Sequence, residues 1–189
     1  MKYFRIAVAV FFVFGCSSNS SKTEQEQLDW SFPHFEKQDD VNPILNPDKE
    51  LVFTDPISQN QVLWEERNVL NPAAIVKNDT VFMLYRAQDK WGTSRIGLAY
   101  SNDGISFTKN EAPVFYPDQD NHKKEEWNFR KVDGEPYSLD CVSCYFDGVE
   151  DPRVVIDDQR TYFMTYTAYD GKTARLSIAS SKDLVSWNK

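Results

Sequence analysis

The residues best suited to chemistry sit at two places 80 positions apart, Asn71-Pro72 and Glu150-Asp151-Pro152-Arg153. A proline after a polar residue fits a strand start, where its missing N–H is tolerated. In extended backbone, adjacent side chains point to opposite sides, so Glu150 and Asp151 can face different surroundings. One carboxyl can face a cavity while the other pairs with Arg153 or a neighbouring loop. Such a cluster can raise a carboxyl pKa, as a general acid requires. It serves equally well as a buried ion-pair network. Arg86 lies in the β-rich run Val81 to Ala87. Its planar fork of donors suits an anion, and it also suits pairing with Asp151 or Glu150.

The elements that must hold these residues follow from internal self-similarity. Asn71 to Phe107 aligns with Asp151 to Trp187. Pro72, Arg95, Ala99, Ser101, Asp103, Ser106 and Phe107 match Pro152, Arg175, Ala179, Ser181, Asp183, Ser186 and Trp187 at a spacing of 80. Met83 and Tyr85 match Met164 and Tyr166 at 81, which one shift near a turn explains. Ala73 to Lys77, Val81 to Ala87 and Arg95 to Tyr100 read as strands, followed by a turn and a last strand at Phe107. Thr161 to Ala168 and Arg175 to Ser180 are counterparts in the second unit. Asn78-Asp79 reads as a tight turn. Asp103 and Asp183 read as turn residues whose carboxylates accept backbone N–H groups, with Gly104 supplying a permissive φ. Phe107 and Trp187 read as core between units.

A unit of about 40 residues with about four short strands is the signature of a propeller blade. The chain therefore reads as all-β, an incomplete β-propeller of about two blades plus an N-terminal strand region. The propeller region runs over 41–189, with blade units 71–110 and 151–189 and an insertion over 111–149. Val41 to Trp64 adds a strand or two. Two blades cannot close a ring, so the sequence reads as a fragment of a longer protein, inactive alone, with apolar blade faces left bare.

The N-terminal residues read as an export signal over 1–15: Lys2 and Arg5, then a short apolar stretch from Ile6 to Phe14. Val13-Phe14-Gly15-Cys16 resembles a lipoprotein signal, with Cys16 the lipidated residue. Residues 16–40 form a polar tether. This places the protein in a bacterial cell envelope, periplasmic or held to the outer membrane by a lipid at Cys16. A net charge of −8 argues against nucleic acid. Cys141 and Cys144 form one C-x-x-C, open to a disulfide, a metal or free thiols. His34 and His122 show no ligand spacing, so neither a metal nor a cofactor is implied. Trp91, Tyr116, Trp127 and Tyr145 are candidate aromatics for stacking on a sugar ring.

The set NPAAIV, FMLYRA, RIGLAYSNDG, GVEDPRVV and YFMTYTAYDG resembles glycoside hydrolase family 130. That resemblance implies a five-bladed propeller acting on β-mannosides, by phosphorolysis in some members and hydrolysis in others. It makes Asp151 the proton donor, acting through a mannose hydroxyl, and Asn71 and Arg86 residues of the sugar-binding site; Glu150, beside Asp151, reads as a further substrate-binding residue. Arg153 reads as structural support. The usual Gly-Gly before the acidic pair is Asp147-Gly148-Val149 here.

Both activities invert the anomeric centre. With water, a second carboxylate serves as base, about 6.5–9.5 Å from the acid. With phosphate, basic residues hold an anionic nucleophile. Export puts an exo-β-mannosidase first, since an exported phosphorylase would lose its charged product. A β-1,4- or β-1,2-mannoside phosphorylase using inorganic phosphate is the alternative. A carbohydrate-binding surface lipoprotein without catalysis is the third reading.

Overall fold

The computed structural model describes residues 36–130 and 146–189. The expected leader with Cys16, His34, the Cys141–Cys144 pair and Tyr145 lie outside the described residues. The chain divides into two units, Met1–Lys37 and Gln38–Lys189, and every strand named below lies in the second.

The strands run β1 (Val52–Thr54), β2 (Gln61–Leu63), β3 (Asn68–Lys77), β4 (Thr80–Gln88), β5 (Thr93–Ser101) and β6 (Thr108–Lys109). A one-turn helix, α1 (Lys123–Glu126), precedes β7 (Asp147–Ile156), β8 (Tyr162–Tyr169), β9 (Ala174–Ser181) and β10 (Trp187–Asn188). β3 to β6 form one antiparallel blade and β7 to β10 another. Period-2 burial along β8 shows why: Tyr162, Met164, Tyr166 and Ala168 point inward, while the residues between them are half-buried.

Local chemistry sets the turns. The β3–β4 hairpin closes through Asn78 and Asp79, with φ of 49° and 60°, and Lys77 pairs with Thr80. Two left-handed residues in a two-residue loop match the twist of the flanking strands, and Asn and Asp tolerate that region. Asp103 accepts from the backbone N–H of Ile105 (2.8 Å) and Ser106 (2.7 Å). Asp183 does the same with Val185 (2.9 Å) and Ser186 (2.7 Å). Backbone donors, those of Ser106 and Ser186 foremost, hold both carboxyls below the usual carboxylate range. Glycine is not required at the next position: Gly104 and Leu184 share a φ of 74°. Leu184 buries its side chain there.

Two apolar clusters pack the blades. Leu84, Ile96, Leu98 and Phe115 meet Val149, Met164, Tyr166 and Ala179 between them, with Trp187 against this cluster. Trp64, Tyr85, Ala87 and Ala99 form the second, joined by Leu51, Phe53, Val62 and Phe107. Phe107 therefore departs from its expected place between blades. It faces the N-terminal segment, whose β1–β2 pair makes a separate two-stranded sheet and covers that face of the first blade.

The same substitution of segment for blade recurs in the polar interior. Tyr85 donates to Glu65 (2.7 Å), and Lys109 pairs with the same carboxylate. Tyr166 donates to Glu126 of α1 (2.9 Å), and Lys189 pairs with that one (2.5 Å). Burial pushes both glutamates above the usual carboxylate range and both phenols up as well. Each blade is thus tied to the segment preceding it through one buried Tyr–Glu–Lys set.

The repeat also identifies a bare face. Ile96 and Leu98, covered by the second blade, have Leu176 and Ile178 as counterparts 80 positions later, and these are 83% and 58% exposed. Burying such a side chain is worth about 1.5–3 kcal/mol. The double variant Leu176→Thr/Ile178→Thr of the 189-residue chain is expected to stay monomeric at higher concentration than the unaltered chain. Light scattering against concentration checks this.

Candidate active site

Both polar–proline pairs fall inside an innermost strand, and both break it in the same way. In β3 the pairing register shifts between Leu70 and Ala73, and in β7 it shifts between Glu150 and Arg153. Asn71 and Asp151 occupy these bulges with φ of 50° and 53°. The following proline has no N–H for the ladder, and Asn and Asp are the side chains that best tolerate left-handed backbone. A bulge re-aims its side chain. Here Asn71 Nδ2 donates to Asp151 Oδ1, so the equivalent residues of the two blades meet.

The bulge also changes the arrangement expected of Glu150 and Asp151. Strict alternation would send them to opposite sides, but both reach one guanidinium. Arg86 Nη2 contacts Glu150 Oε1 at 2.6 Å, and Nη1 contacts Asp151 Oδ1 at 3.1 Å. Arg153 is not their partner: its Nη1 donates to the Pro152 carbonyl at 2.7 Å. The general-acid and ion-pair expectations therefore describe one cluster.

Glu150 and Arg86 are largely enclosed, with side chains 12% and 14% exposed, whereas that of Asp151 is 38% exposed. Burial raises the Glu150 carboxyl above its usual range, against the opposing pull of Arg86 and the Ser94 hydroxyl. Asp151 Oδ1 accepts from Asn71 and Arg86. Among the described residues no donor reaches Oδ2. N–H donors occupy Oδ1, which leaves Oδ2 as the oxygen available to a ligand.

Backbone closeness brings the second blade to this point. β5 and β7 run parallel for a short stretch, pairing Thr93 with Asp147 and Ser94 with Gly148. Gly148 has a φ of 113°, and a Cβ there would lie 2.1 Å from the Ser94 carbonyl oxygen. The glycine before Val149-Glu150-Asp151 is a requirement of the blade junction.

Asn71, Arg86, Glu150 and Asp151 are thus brought together. The expected aromatics are less concentrated. Tyr116 packs at a tilt against Phe53, with ring centroids 4.8 Å apart. It lines a cleft of about 560 Å³ with Asp118, Asp120, Trp187 and Lys189, and none of the four site residues borders that cleft. Trp91 and Trp127 are half-buried.

Sequence reasoning missed Ser94, Gln88 and Asn68, which lie directly behind the cluster. Arg86 Nε donates to Ser94 Oγ (3.0 Å), Gln88 Nε2 donates to the same oxygen (3.1 Å), and Ser94 donates to Glu150 Oε1 (3.1 Å). Asn68 donates to Gln88 Oε1 at 3.0 Å. The signal was present as an interruption of the repeat. Tyr85, Asp89 and Arg95 recur as Tyr166, Asp170 and Arg175, but Arg86, Gln88 and Ser94 face Thr167, Tyr169 and Ala174.

Comparison with known proteins fits this architecture. A family model described as beta-1,4-mannooligosaccharide phosphorylase, glycoside hydrolase family 130, matches residues 35–189. The 1,2-beta-oligomannan phosphorylase of Thermoanaerobacter sp. (strain X514) is 32% identical over 144 residues, 71% of this chain and 40% of that protein. The crystal structure of a glycosyl hydrolase from Bacteroides ovatus is 36% identical, with a TM-score of 0.73, over 85% of this chain and 42% of that one. Another solved structure is 38% identical, with a TM-score of 0.73 and the same coverage. It comes under the statement that the GH130 family of mannoside phosphorylases contains glycoside hydrolases that target beta-1,2 mannosidic linkages in Candida mannan. The chain spans well under half the length of each of these relatives. Two bladed sheets meeting at Asn71 and Asp151, and a family match over 35–189, lead to one statement: this chain belongs to glycoside hydrolase family 130.

Proposed function

We propose that this chain supplies the proton-donating part of a β-mannoside pocket, and that the complete polypeptide cleaves β-mannosides by phosphorolysis. The observation carrying the reading is the cluster itself. Asp151 is held at Oδ1 by residues of the other blade and leaves Oδ2 open, beside a largely enclosed arginine and a second carboxyl. In the reaction, a phosphate oxygen attacks the anomeric carbon from the face opposite the leaving oxygen. The glycosidic C–O bond breaks, and the departing oxygen takes the proton from Asp151 Oδ2, through a sugar hydroxyl. The products are α-mannose 1-phosphate and a shortened mannoside, and solvent reprotonates Asp151. Asn71, Arg86 and Glu150 bind and orient the sugar.

The order of readings differs from the one export alone gives. The matching family model is described as a phosphorylase, and so are two curated relatives from Thermoanaerobacter sp. (strain X514), the 1,2-beta-oligomannan phosphorylase and a beta-1,2-mannobiose phosphorylase, whose names both carry the β-1,2 linkage. This favours phosphorolysis, with β-1,2-mannosides as first substrates to try. Hydrolysis is the second reading, supported by the lipoprotein-type leader ending at Cys16 and by the hydrolases reported within the family. Anchoring at Cys16 in the cell envelope belongs to this proposal too. Assaying the complete polypeptide on β-1,2-mannobiose with and without inorganic phosphate separates the two. Phosphorolysis predicts sugar phosphate and no cleavage without phosphate. Mannose release at the same rate in phosphate-free buffer would instead establish hydrolysis.

A further inference from the structure

The geometry points to Ser94 as the positioning residue of this site, the group that fixes the Arg86 fork across Glu150 and Asp151. The inference rests on the reading of Asp151 as proton donor, but its structural part stands without it. A hydroxyl has one proton and two acceptor positions. At Ser94 all three are committed: Arg86 Nε and Gln88 Nε2 donate to Oγ, and the proton goes to Glu150 Oε1. The contact from Asn68 to Gln88 Oε1 sets which way the Gln88 amide points, so its NH₂ end faces Ser94.

The consequence falls on Arg86. A guanidinium is planar, so holding Nε sets the plane in which both terminal nitrogens lie. With Nε on Ser94, Nη2 falls on Glu150 and Nη1 on Asp151. Glu150 Oε1 accepts from both Arg86 Nη2 and the Ser94 hydroxyl, so that one oxygen is held at two points. Ser94 also lies at the point where the two blades touch, opposite Gly148. The hydroxyl therefore transmits the junction between blades to the orientation of the donor carboxyl.

The repeat supports a role in the site over one in the blade. At the equivalent position of the second blade stands Ala174, and that blade keeps its Asp–Arg pair and its Tyr–Glu–Lys set without a hydroxyl there. A blade folds without this serine. What the second blade lacks along with it is the arginine, since Thr167 stands in place of Arg86.

The experiment uses Ser94→Ala and Ser94→Thr in the complete polypeptide, with β-1,2-mannobiose and phosphate as probes. Ser94→Ala is expected to lower kcat by about 10–100-fold, the range found when a supporting contact is removed from a positioned group. KM should change by less than that factor, and the variant should stay folded at the assay temperature although it loses stability with the acceptor of Gln88 and Arg86. Ser94→Thr, which restores the hydroxyl, should recover most of the turnover. Wild-type kinetics in Ser94→Ala would overturn the proposal. So would a loss that follows only the fraction folded and is not restored by Thr. A second readout does not depend on activity: the Arg86 Nε–H resonance should be protected from exchange in the unaltered protein and lose protection in Ser94→Ala. If the unaltered protein cleaves no mannoside, the functional reading fails, and this resonance alone decides on Ser94. Equal protection in both proteins would overturn it.

Discussion

Asp151→Asn is expected to lower β-mannoside turnover by about 10²–10⁴-fold, the range associated with loss of a positioned general acid. The substitution keeps an oxygen that accepts from Asn71 and Arg86, so the bulge and the blade junction have no reason to change. What is lost is the transferable proton on the exposed oxygen. Mannoside binding, measured by calorimetry, should therefore persist within a few-fold while kcat falls. That split separates an enzyme from a surface protein that only holds glycans, for which Asn in place of Asp would alter little. Unchanged turnover would remove Asp151 from the chemistry.

The second large effect is on stability, at a residue with no part in the site. Arg95 is 1% exposed and pairs with Asp55 (2.6 Å) and Asp89 (2.8 Å). Burial pushes the Asp55 carboxyl up, but Arg95 and the amides of Ser58 and Ile57 outweigh it, so the group sits below the usual carboxylate range. Asp55 belongs to the N-terminal segment and Asp89 to the β4–β5 turn, so one guanidinium joins segment and blade. Arg95→Met leaves two buried carboxylates uncompensated. Removing one partner of a buried ionic set costs about 3–5 kcal/mol. Its repeat counterpart Arg175 is 38% exposed and pairs with Asp170 alone. Arg175→Met should cost under about 1 kcal/mol, as for exposed pairs. Urea denaturation of both variants checks the contrast, and equal losses would contradict it.

The sign of the pH dependence follows. A carboxyl with a depressed folded pKa contributes stability above its unfolded pKa and loses that contribution as pH falls through the folded value. The Asp55 contribution is thus present at neutral pH and is lost in acid.

The two arginines show why some of this architecture was legible and some was not. The 80-residue repeat carried the blades, because residues that build a blade recur: Arg95 with Arg175, Asp103 with Asp183, Tyr85 with Tyr166 at 81. It also brought out Asn71 and Asp151, since both precede a proline. Three things escaped it. The bulges at Asn71 and Asp151 cancel the alternation of strands, and no periodicity argument predicts where alternation fails. The covering of the first blade by β1 and β2 depends on long-range packing, so no local pattern gives Phe107 its neighbours in that segment. Ser94 and Gln88 are uncharged polar residues in largely apolar strands and carry no signal until their partners are known. Their mismatch with Ala174 and Tyr169 was the available clue. Departures from an internal repeat, at buried polar positions, mark the site as clearly as the repeat marks the scaffold.

A β-mannoside is expected to sit where the heads of β3 and β7 meet. A crystal structure of the complete Asp151→Asn polypeptide with β-1,2-mannobiose decides this. Sugar oxygens should lie within hydrogen-bond distance of residue 151 and of Arg86. Mannobiose bound elsewhere, with this cluster untouched, would overturn the assignment.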